Sequence, residues 1–424
     1  MKKLPLIVLL APLIFFSCEK ESGELFDDSP TTPDYSADIL NEVWFSQIDF
    51  SEFDYSESIF QFTIIENVIL RSNSYYIFAH SADDGEFLWA FERPPLFSLP
   101  SLDDVTMVGD KLYFFSSINQ RPGIVALNKY SGELESTLSF DDIPDINGFL
   151  LVRCFHDNKV YFSTKKANRD PHDYFDYSYF VYEFELETQS LNLLYNDESI
   201  FFQWDYSRVD PVVNSMNKSL FFQHIKHDSE DFYVQIVEIP NNGGEAEVVV
   251  SDKLESEVPS NLRSNNTFAV QGNYLVGNFE RNAEFSMRAY DLSQGGERIW
   301  QTGSSFVPRF HMDNLYFIRN QSSGPLQHVD VQSGDVNWSQ NINATDHNLN
   351  FLKNRPLACQ RTNSGDMSIL DLNTGTALVN ISFEKLGISP TGNHFHQNAF
   401  SYSNGEKLIL ATRLGQLLCF ELPF

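Results

Sequence analysis

Short apolar segments alternate with polar turns along the chain from residue 41 onward, and the alternation repeats. Each repeat holds an apolar strand that follows a polar turn, as in residues 110–115, and then a strand–turn–strand unit. That later turn falls at positions 85, 132, 189, 243, 295, 334 and 375, which are 39 to 57 residues apart. Six of the seven are glycine, a residue that adopts the positive φ of a tight hairpin at little cost.

This spacing is typical of four-stranded propeller blades. The second strand of each unit is continuously apolar, as a strand covered on both faces by neighbouring blades must be. Eight second strands and eight third strands are present. The last unit has no fourth strand of its own, and residues 42–48 look like a detached fourth strand. We therefore predict an all-β, eight-bladed β-propeller over residues 41–424, built of four-stranded antiparallel blades and closed by its N-terminal strand. The alternative is two separate domains.

Three turns share a sequence signature. Residues 289–295, 329–334 and 370–375 place an Asp ahead of a turn glycine, and Trp300 and Trp338 follow the first two. The signature resembles the quinoprotein-like (PQQ-like) propeller repeat, which implies eight blades and a Trp that docks between them, and does not imply a bound quinone. The turns at Gln189 and Gly243 depart from it. The ring is also similar to the propeller lipoprotein of the outer-membrane β-barrel assembly machinery, which scaffolds other subunits, and to envelope lipoproteins of unknown role.

The N-terminus has the pattern of an export signal. Lys2 and Lys3 precede an apolar run over residues 4–16, which is too short to span a bilayer comfortably. Ser17-Cys18 after such a run resembles a bacterial lipobox, although Phe15 departs from the usual aliphatic residue. The resemblance implies a signal peptide over residues 1–17 and lipidation of Cys18. The alternative is a plain secretory signal.

Residues 18–40 are acidic and contain prolines, as expected of a flexible tether. Acidic residues just after a lipidated Cys resemble the surface-export signal of Bacteroidetes lipoproteins. We therefore predict a chain anchored to the outer membrane only by its lipid, and leave open the cell surface and the periplasmic side.

The charge of the chain excludes one class of partner. Its 424 residues carry 29 Lys and Arg against 58 Asp and Glu, a formal net charge of −29. Nucleic-acid binding needs a basic footprint, so we expect no nucleic-acid partner. The chain has four cysteines, too few for a disulfide-stapled scaffold. Cys154, Cys359 and Cys419 fall in strand-like runs of different blades and are expected to be buried thiols.

Connection lengths predict the working face. First-to-second and third-to-fourth turns are short and share one face, whereas second-to-third and fourth-to-first connections share the other face and are long. The predicted long segments are 94–103, 140–148, 196–207, 251–265, 341–348 and 383–393, with a further insertion at 165–178. Long loops on a rigid scaffold commonly carry function. We expect partner binding there, and the candidate residues are acids and aromatics: Asp103, Asp104, Asp141, Asp142, Asp145, Tyr174, Phe175, Tyr177, Phe201, Phe202 and Trp204. A solvated acidic rim and loop-packing aromatics are the alternatives.

Candidate chemistry is sparse. No hydrolase, P-loop, dinucleotide or calcium-loop motif is present. His394 and His396 share one side of a strand, and with His347 and His311 they form a candidate metal set; ordinary surface or core histidines are the alternative. We predict no catalytic residue, metal or cofactor, and a monomeric, non-catalytic scaffold for an envelope protein. The alternatives are a surface glycan-binding lipoprotein and, less favoured, a quinone-dependent dehydrogenase.

Overall fold

The architecture is that of an eight-bladed β-propeller in the computed structural model, which confirms the predicted fold class. The structure describes residues 41–48, 59, 61–95, 97–98, 102, 104–143, 149–167, 177–200, 211–228, 231–241, 243–254, 267–281, 284–303, 306–319, 324–344, 349–362, 366–382, 386, 395–402 and 405–422. Their strands form six sheets of four strands and one of eight, and all strand pairs are antiparallel.

The first four blades follow one another along the chain, each running from its first to its fourth strand. Blade 1 consists of β2 (Gln61–Ile65), β3 (Val68–Ser72), β4 (Tyr76–Ser81) and β5 (Phe87–Glu92). Blade 2 consists of β6 (Val105–Val108), β7 (Lys111–Ile118), β8 (Arg121–Asn128) and β9 (Leu134–Ser139). Blade 3 consists of β10 (Phe149–His156), β11 (Lys159–Ala167), β12 (Tyr177–Glu185) and β13 (Leu191–Ile200). Blade 4 consists of β14 (Val212–Val213), β15 (Leu220–Asp228), β16 (Asp231–Ile239) and β17 (Glu247–Leu254).

The remaining blades continue the same order, and the last one borrows a strand. Blade 5 consists of β18 (Thr267–Gln271), β19 (Tyr274–Arg281), β20 (Glu284–Asp291) and β21 (Glu297–Gly303). Blade 6 consists of β22 (Phe306–His311), β23 (Asn314–Arg319), β24 (Gly324–Val329) and β25 (Val336–Ala344). Blade 7 consists of β26 (Leu349–Phe351), β27 (Leu357–Arg361), β28 (Met367–Asp371) and β29 (Ala377–Ile381). Blade 8 consists of β30 (Phe395–Tyr402), β31 (Lys407–Thr412), β32 (Gln416–Glu421) and β1 (Asn41–Gln47).

Ring closure by the N-terminal strand is confirmed. β1 pairs antiparallel with β32, from Asn41 opposite Glu421 to Gln47 opposite Gln416. First strands of neighbouring blades contact each other, β30 with β2 and β2 with β6 among them, which places the first strands innermost. The eight-stranded sheet is blades 3 and 4 joined by one extra residue pair, Ile200 with Lys226. Because β1 pairs with β32, the third strand of the last blade is not an exposed edge. An unpaired edge strand would invite aggregation.

Second strands form the interior, as their apolar runs predicted. In β7, residues 112–116 are all buried, and in β3 all five residues are buried. Their side chains point alternately to the two neighbouring blades. Leu112 and Phe114 pack in a cluster with blade 1, while Tyr113 and Phe115 pack with blade 3. Burial of this kind stabilises by about 25 cal/mol for each Å² of apolar surface removed from water.

The turn signature has a direct physical explanation. In blade 6, Asp330 Oδ1 accepts hydrogen bonds from the backbone N–H groups of Gln332 and Ser333, and the Gly334 N–H donates to the Asp330 carbonyl. Asp371 repeats the contact in blade 7, where it accepts from Asn373 N–H. A short side chain that caps the turn, followed by glycine with φ near +78°, closes the hairpin without strain.

Tryptophans dock between blades, as the resemblance implied. The docking position is the residue that follows the β-bulge in a fourth strand: Trp89 pairs with Ala79 directly beside the bulge in blade 1. A Cβ added at Gly132 of the next blade would lie 2.6 Å from this indole. The same contact recurs for Trp44 with Gly85, Trp300 with Gly334 and Trp338 with Gly375. Gly243 and Gly295 follow blades with no Trp at the docking position, and a Cβ there would meet nothing within 4 Å.

Several strands run further than the sequence predicted. The predicted loops 165–178, 196–207, 251–265 and 341–348 each lose residues to a neighbouring strand. In blade 3 the hairpin of β11 and β12 stays paired out to Ala167 and Tyr177, and Tyr177 also pairs with Ile200 on β13. Backbone pairing continues because each new pair satisfies amide groups that a loop would leave to water.

Candidate functional site

The two faces of the ring differ in their connections. On the short-turn face, which holds the first-to-second and third-to-fourth turns, two-residue turns lie at 109–110, 157–158 and 312–313. Gly109 and both residues of the other two turns take positive φ. The long-loop face holds the second-to-third and fourth-to-first connections. Several second-to-third connections are short: β7 and β8, β15 and β16, and β19 and β20 are each joined by two residues. The additional length is therefore concentrated in fourth-to-first connections, such as the one between β5 and β6.

Many predicted site residues lie outside the described residues, and they stay predictions. Cys18 and the predicted partner-binding residues Asp103, Asp145, Tyr174, Phe175, Phe201, Phe202 and Trp204 belong to this group. Asp104, Asp141, Asp142 and Tyr177 are described. All four lie at strand ends or connections of blades 2 and 3 on the long-loop face.

The described aspartates have different roles. Asp141 and Asp142 are exposed in a 3-10 turn (Phe140–Asp142) that follows β9, and Asp141 lies 3.3 Å from the Arg121 guanidinium. Asp104 Oδ1 accepts a hydrogen bond of 3.3 Å from the backbone N–H of Phe155 in the next blade. Asp141 and Asp142 therefore fit a charged rim, whereas Asp104 links two blades.

Tyr177 is not an exposed aromatic, which corrects its place in the candidate set. It is the first residue of β12, is 6% exposed, and packs in a cluster with Val152 and Tyr179. The Lys165 ammonium lies over its ring, 5.0 Å from the centroid. Extension of the β11–β12 hairpin draws Tyr177 into the blade, so its ring has no free face for a sugar.

Basic residues mark the long-loop ends of second strands, a feature that the sequence interpretation missed. Seven of the eight blades carry them: Arg71, Lys165 and Lys166, Lys226, Arg281, Arg319, Arg361 and Arg413. The signal in the sequence is a Lys or Arg at or near the end of seven of the eight apolar second strands. It is easily overlooked because acidic residues outnumber basic ones two to one along the chain. The topology brings these strand ends to one face, where Arg71 and Lys165 are buried and the cations of blades 6, 7 and 8 are exposed or half-buried.

Two of these cations are neighbours. Arg361 ends β27, and Arg413 directly follows β31 in the next blade. Burial, and then the positive charge of Arg413, lower the pKa of Arg361. Arg413 is exposed and Arg361 half-buried. Adjacent like charges favour an anionic group between them.

A polar cluster lies beneath the long-loop face between blades 3 and 4. The Lys226 ammonium lies 3.1 Å from the Asp197 carboxylate, and Tyr195 joins Asp197 to buried His224 by hydrogen bonds of 3.3 and 3.4 Å. The His224 ring lies 4.8 Å from the ring of Tyr179. Burial lowers the pKa of His224 to about 4. The cluster therefore holds a neutral imidazole among polar neighbours.

His224 predicts a specific acid sensitivity. Its pKa in the unfolded chain is near 6.5 and in the folded chain about 4, so between these values the unfolded chain takes up a proton that the folded chain refuses. As the pH falls from 6.5 to about 4, protonation of His224 in the unfolded chain should lower the free energy of unfolding by about 1.4 kcal/mol per pH unit. Urea unfolding at several pH values should show a shallower fall for His224→Gln than for wild type. Identical slopes would contradict the assignment.

Of the four candidate metal-binding histidines, the structure describes the side chain of His311. His311 Nε2 lies 2.6 Å from the Arg355 carbonyl, and its ring stacks on Phe351 at 5.0 Å, on the short-turn face. His347, His394 and the side chain of His396 lie outside the described part. Within the part that the structure describes, no group of three His, Cys, Asp or Glu residues is placed to hold a metal ion. No helix there is long and apolar enough to cross a membrane.

The expectation of buried thiols is confirmed for Cys359 and Cys419 and not for Cys154. Cys359 and Cys419 are buried free thiols, while Cys154 is half-buried and also free. Burial raises the pKa of Cys359 to about 12 and that of Cys419 to about 11. Both buried thiols are therefore protonated at neutral pH and contribute as apolar packing groups.

Comparisons with known proteins identify the fold and nothing finer. No protein-family model and no curated protein sequence matches the chain. Among solved structures, BamB from Moraxella catarrhalis is similar with a TM-score of 0.50 and 11% identity, covering 91% of this chain and 98% of that one. Sqt1 from Saccharomyces cerevisiae has a TM-score of 0.51 and 12% identity, covering 91% and 100%. At these identities the likeness extends to the propeller architecture alone.

Proposed function

We propose that this protein is a non-catalytic scaffold of the bacterial cell envelope that binds a partner protein through its long-loop face. Lipidation of Cys18 would tether it to the outer membrane, with residues 18–40 as the spacer. The export-signal pattern of residues 1–17 and Cys18 supports the envelope setting, and the likeness to BamB and Sqt1 supports the propeller fold alone. Protease added to whole cells distinguishes a surface-facing chain, which is digested, from one facing the periplasm.

The convergence of second-strand cations on one face carries the proposal. The chain as a whole is strongly acidic, so a face with exposed or half-buried cations from blades 3, 4, 6, 7 and 8 differs in charge from its surroundings. Asp141 and Asp142 add acids at its edge, and Arg121 pairs with Asp141 at 3.3 Å. Such a mixed pattern favours one orientation of a charged partner and speeds its encounter. We therefore assign the partner an acidic patch that meets Arg361 and Arg413.

A glycan-binding role has no comparable support from the described residues. It needs aromatic rings exposed on the long-loop face, and Tyr177, the candidate that the structure describes, is buried. The scaffold role does not depend on that ring.

Reversing one charge on each face should show which face binds the partner. We expect Arg413→Glu to reduce partner capture about tenfold or more, because it removes an attraction and adds a repulsion of a few kcal/mol. A photo-crosslinking amino acid at position 414, on the long-loop face, should give a discrete adduct in the native cells that Arg413→Glu weakens. The measurement is the adduct yield relative to total protein.

The matched control is Lys353→Glu. Lys353 is exposed in the first-to-second turn of blade 7, on the short-turn face, and the substitution changes the net charge by the same amount. Adduct yield should stay within twofold of wild type. Equal losses of adduct for Arg413→Glu and Lys353→Glu would overturn the assignment of the face.

A further inference from the structure

The junction between blades 2 and 3 lacks the indole that fills other junctions. At its docking position stands Ser136, which pairs with Ala126 beside the β-bulge as Trp89 pairs with Ala79. The turn that would receive an indole carries Gln189 in place of glycine, with φ of +55°. Both partners of the usual Trp–Gly contact are thus replaced together at one junction.

A cavity occupies this junction. Its volume is about 530 Å³, within the range of small-molecule pockets. Its walls come from both blades and combine apolar and polar groups: Ile124 and Leu138 face Phe184 and Leu186, while Asp110, Lys111 and Glu187 add charge. Ser136 and Gln189 are exposed at its rim. The space is thus open to solvent on the short-turn face, away from the long-loop face.

The junctions that hold a Trp show which side chain fits such a space. Trp89 Nε1 donates a hydrogen bond of 2.7 Å to the carbonyl of Lys129, and Trp300 Nε1 donates one of 2.8 Å to that of Val331. Each acceptor lies three residues before its turn glycine. The residue three before Gln189 is Leu186, which lines the cavity. An indole in the cavity would therefore find apolar contacts from Ile124, Leu138 and Phe184 and a backbone acceptor for its N–H.

The outer edge of blade 2 points to a polypeptide as the source of that indole. β9 is an outermost strand, residues 134–137 are exposed, and among the described strands β9 pairs only with β8. An extended segment can add to such an edge by backbone hydrogen bonds, while every second side chain enters a neighbouring pocket. The cavity adjoins this edge through Ser136 and Leu138.

We propose that the cavity between blades 2 and 3 receives the tryptophan side chain of an extended segment of a partner polypeptide that pairs with β9. The guest supplies in trans the indole that Trp44, Trp89, Trp300 and Trp338 supply in cis. The site is independent of the long-loop face, so the proposed function can fail while this site stands, and the reverse.

Fluorine NMR tests the proposal with two probes. One is free 5-fluoroindole, and the other is a capped nine-residue peptide of alternating Thr and Val residues with a central 5-fluorotryptophan. Saturable line broadening should give a Kd of about 0.1–1 mM for fluoroindole and a Kd at least fivefold lower for the peptide. If neither probe binds to wild type at 5 mM, the site is overturned. Equal affinities for the two probes would overturn the polypeptide source.

Variants locate the binding. Ser136→Trp with Gln189→Gly rebuilds the docking pair and should weaken both probes at least tenfold. Ser136→Phe fills the space by a second route if the double variant fails to fold, as judged by circular dichroism. Tyr130→Trp, which adds an indole at an exposed position of blade 2, should leave both affinities unchanged. Undiminished binding to a folded, filled variant would overturn the proposal.

Discussion

Deleting residues 41–47 is expected to open the ring and make the chain associate through β32. The deletion removes the six residue pairs between β1 and β32 and the Trp44 indole that covers Gly85. Lost backbone bonds and lost packing should together lower the free energy of unfolding by about 5 kcal/mol or more. The apolar edge of β32 would then be free to pair with another copy. Light scattering after gel filtration should show oligomers. Thermal melts should show unfolding at a lower temperature than in wild type.

A deletion of equal length controls for chain shortening. Removing residues 27–33 shortens the predicted tether and leaves β1 in place. The assembly state and the melting temperature should therefore match those of wild type. A β1 deletion that stays at its wild-type assembly state and melts like wild type would show that the ring does not need its N-terminal strand.

Trp89→Ala is expected to lower the free energy of unfolding by about 3–5 kcal/mol, the cost of emptying a large buried site. The Trp89 side chain is 5% exposed, contacts Gly132 of the next blade, and donates to the Lys129 carbonyl. Its removal leaves a hole at the blade 1–blade 2 junction and an acceptor without its donor. Urea denaturation followed by circular dichroism measures the change.

Leu88→Ala is the matched control on the same strand. Leu88 is 42% exposed, so its truncation should cost less than about 1 kcal/mol. If the two variants unfold at the same urea concentration, the Trp–Gly contact does not hold these blades together.

The loops and the working face were the least predictable features. Strands β11, β13, β17 and β25 run into segments that the sequence assigned to loops, because polar residues there still pair through their backbones. Tyr177 shows the consequence: its place in the predicted 165–178 insertion suggested exposure, yet it pairs with Ile200 and is buried. The cations of the long-loop face were also missed, since their common feature is an end of a strand and not a local motif.

The cavity at Ser136 illustrates the same limit. Nothing in the local sequence of β9 distinguishes a docking position from an ordinary exposed serine. Its meaning appears only when the bulge of blade 2 is aligned with that of blade 1, and when Gln189 is seen across the junction.

The sequence by itself determined the blade count, the strand order and the closing role of residues 42–48. Repeat spacing, turn glycines and continuously apolar second strands are local consequences of hairpin geometry and of burial on both faces. The tertiary structure alone decided which residues meet across blades: Trp89 with Gly132, Arg361 with Arg413, Ser136 with Gln189. These pairs join residues 43 to 53 positions apart, and their geometry depends on the twist and tilt of whole sheets, which no local pattern encodes.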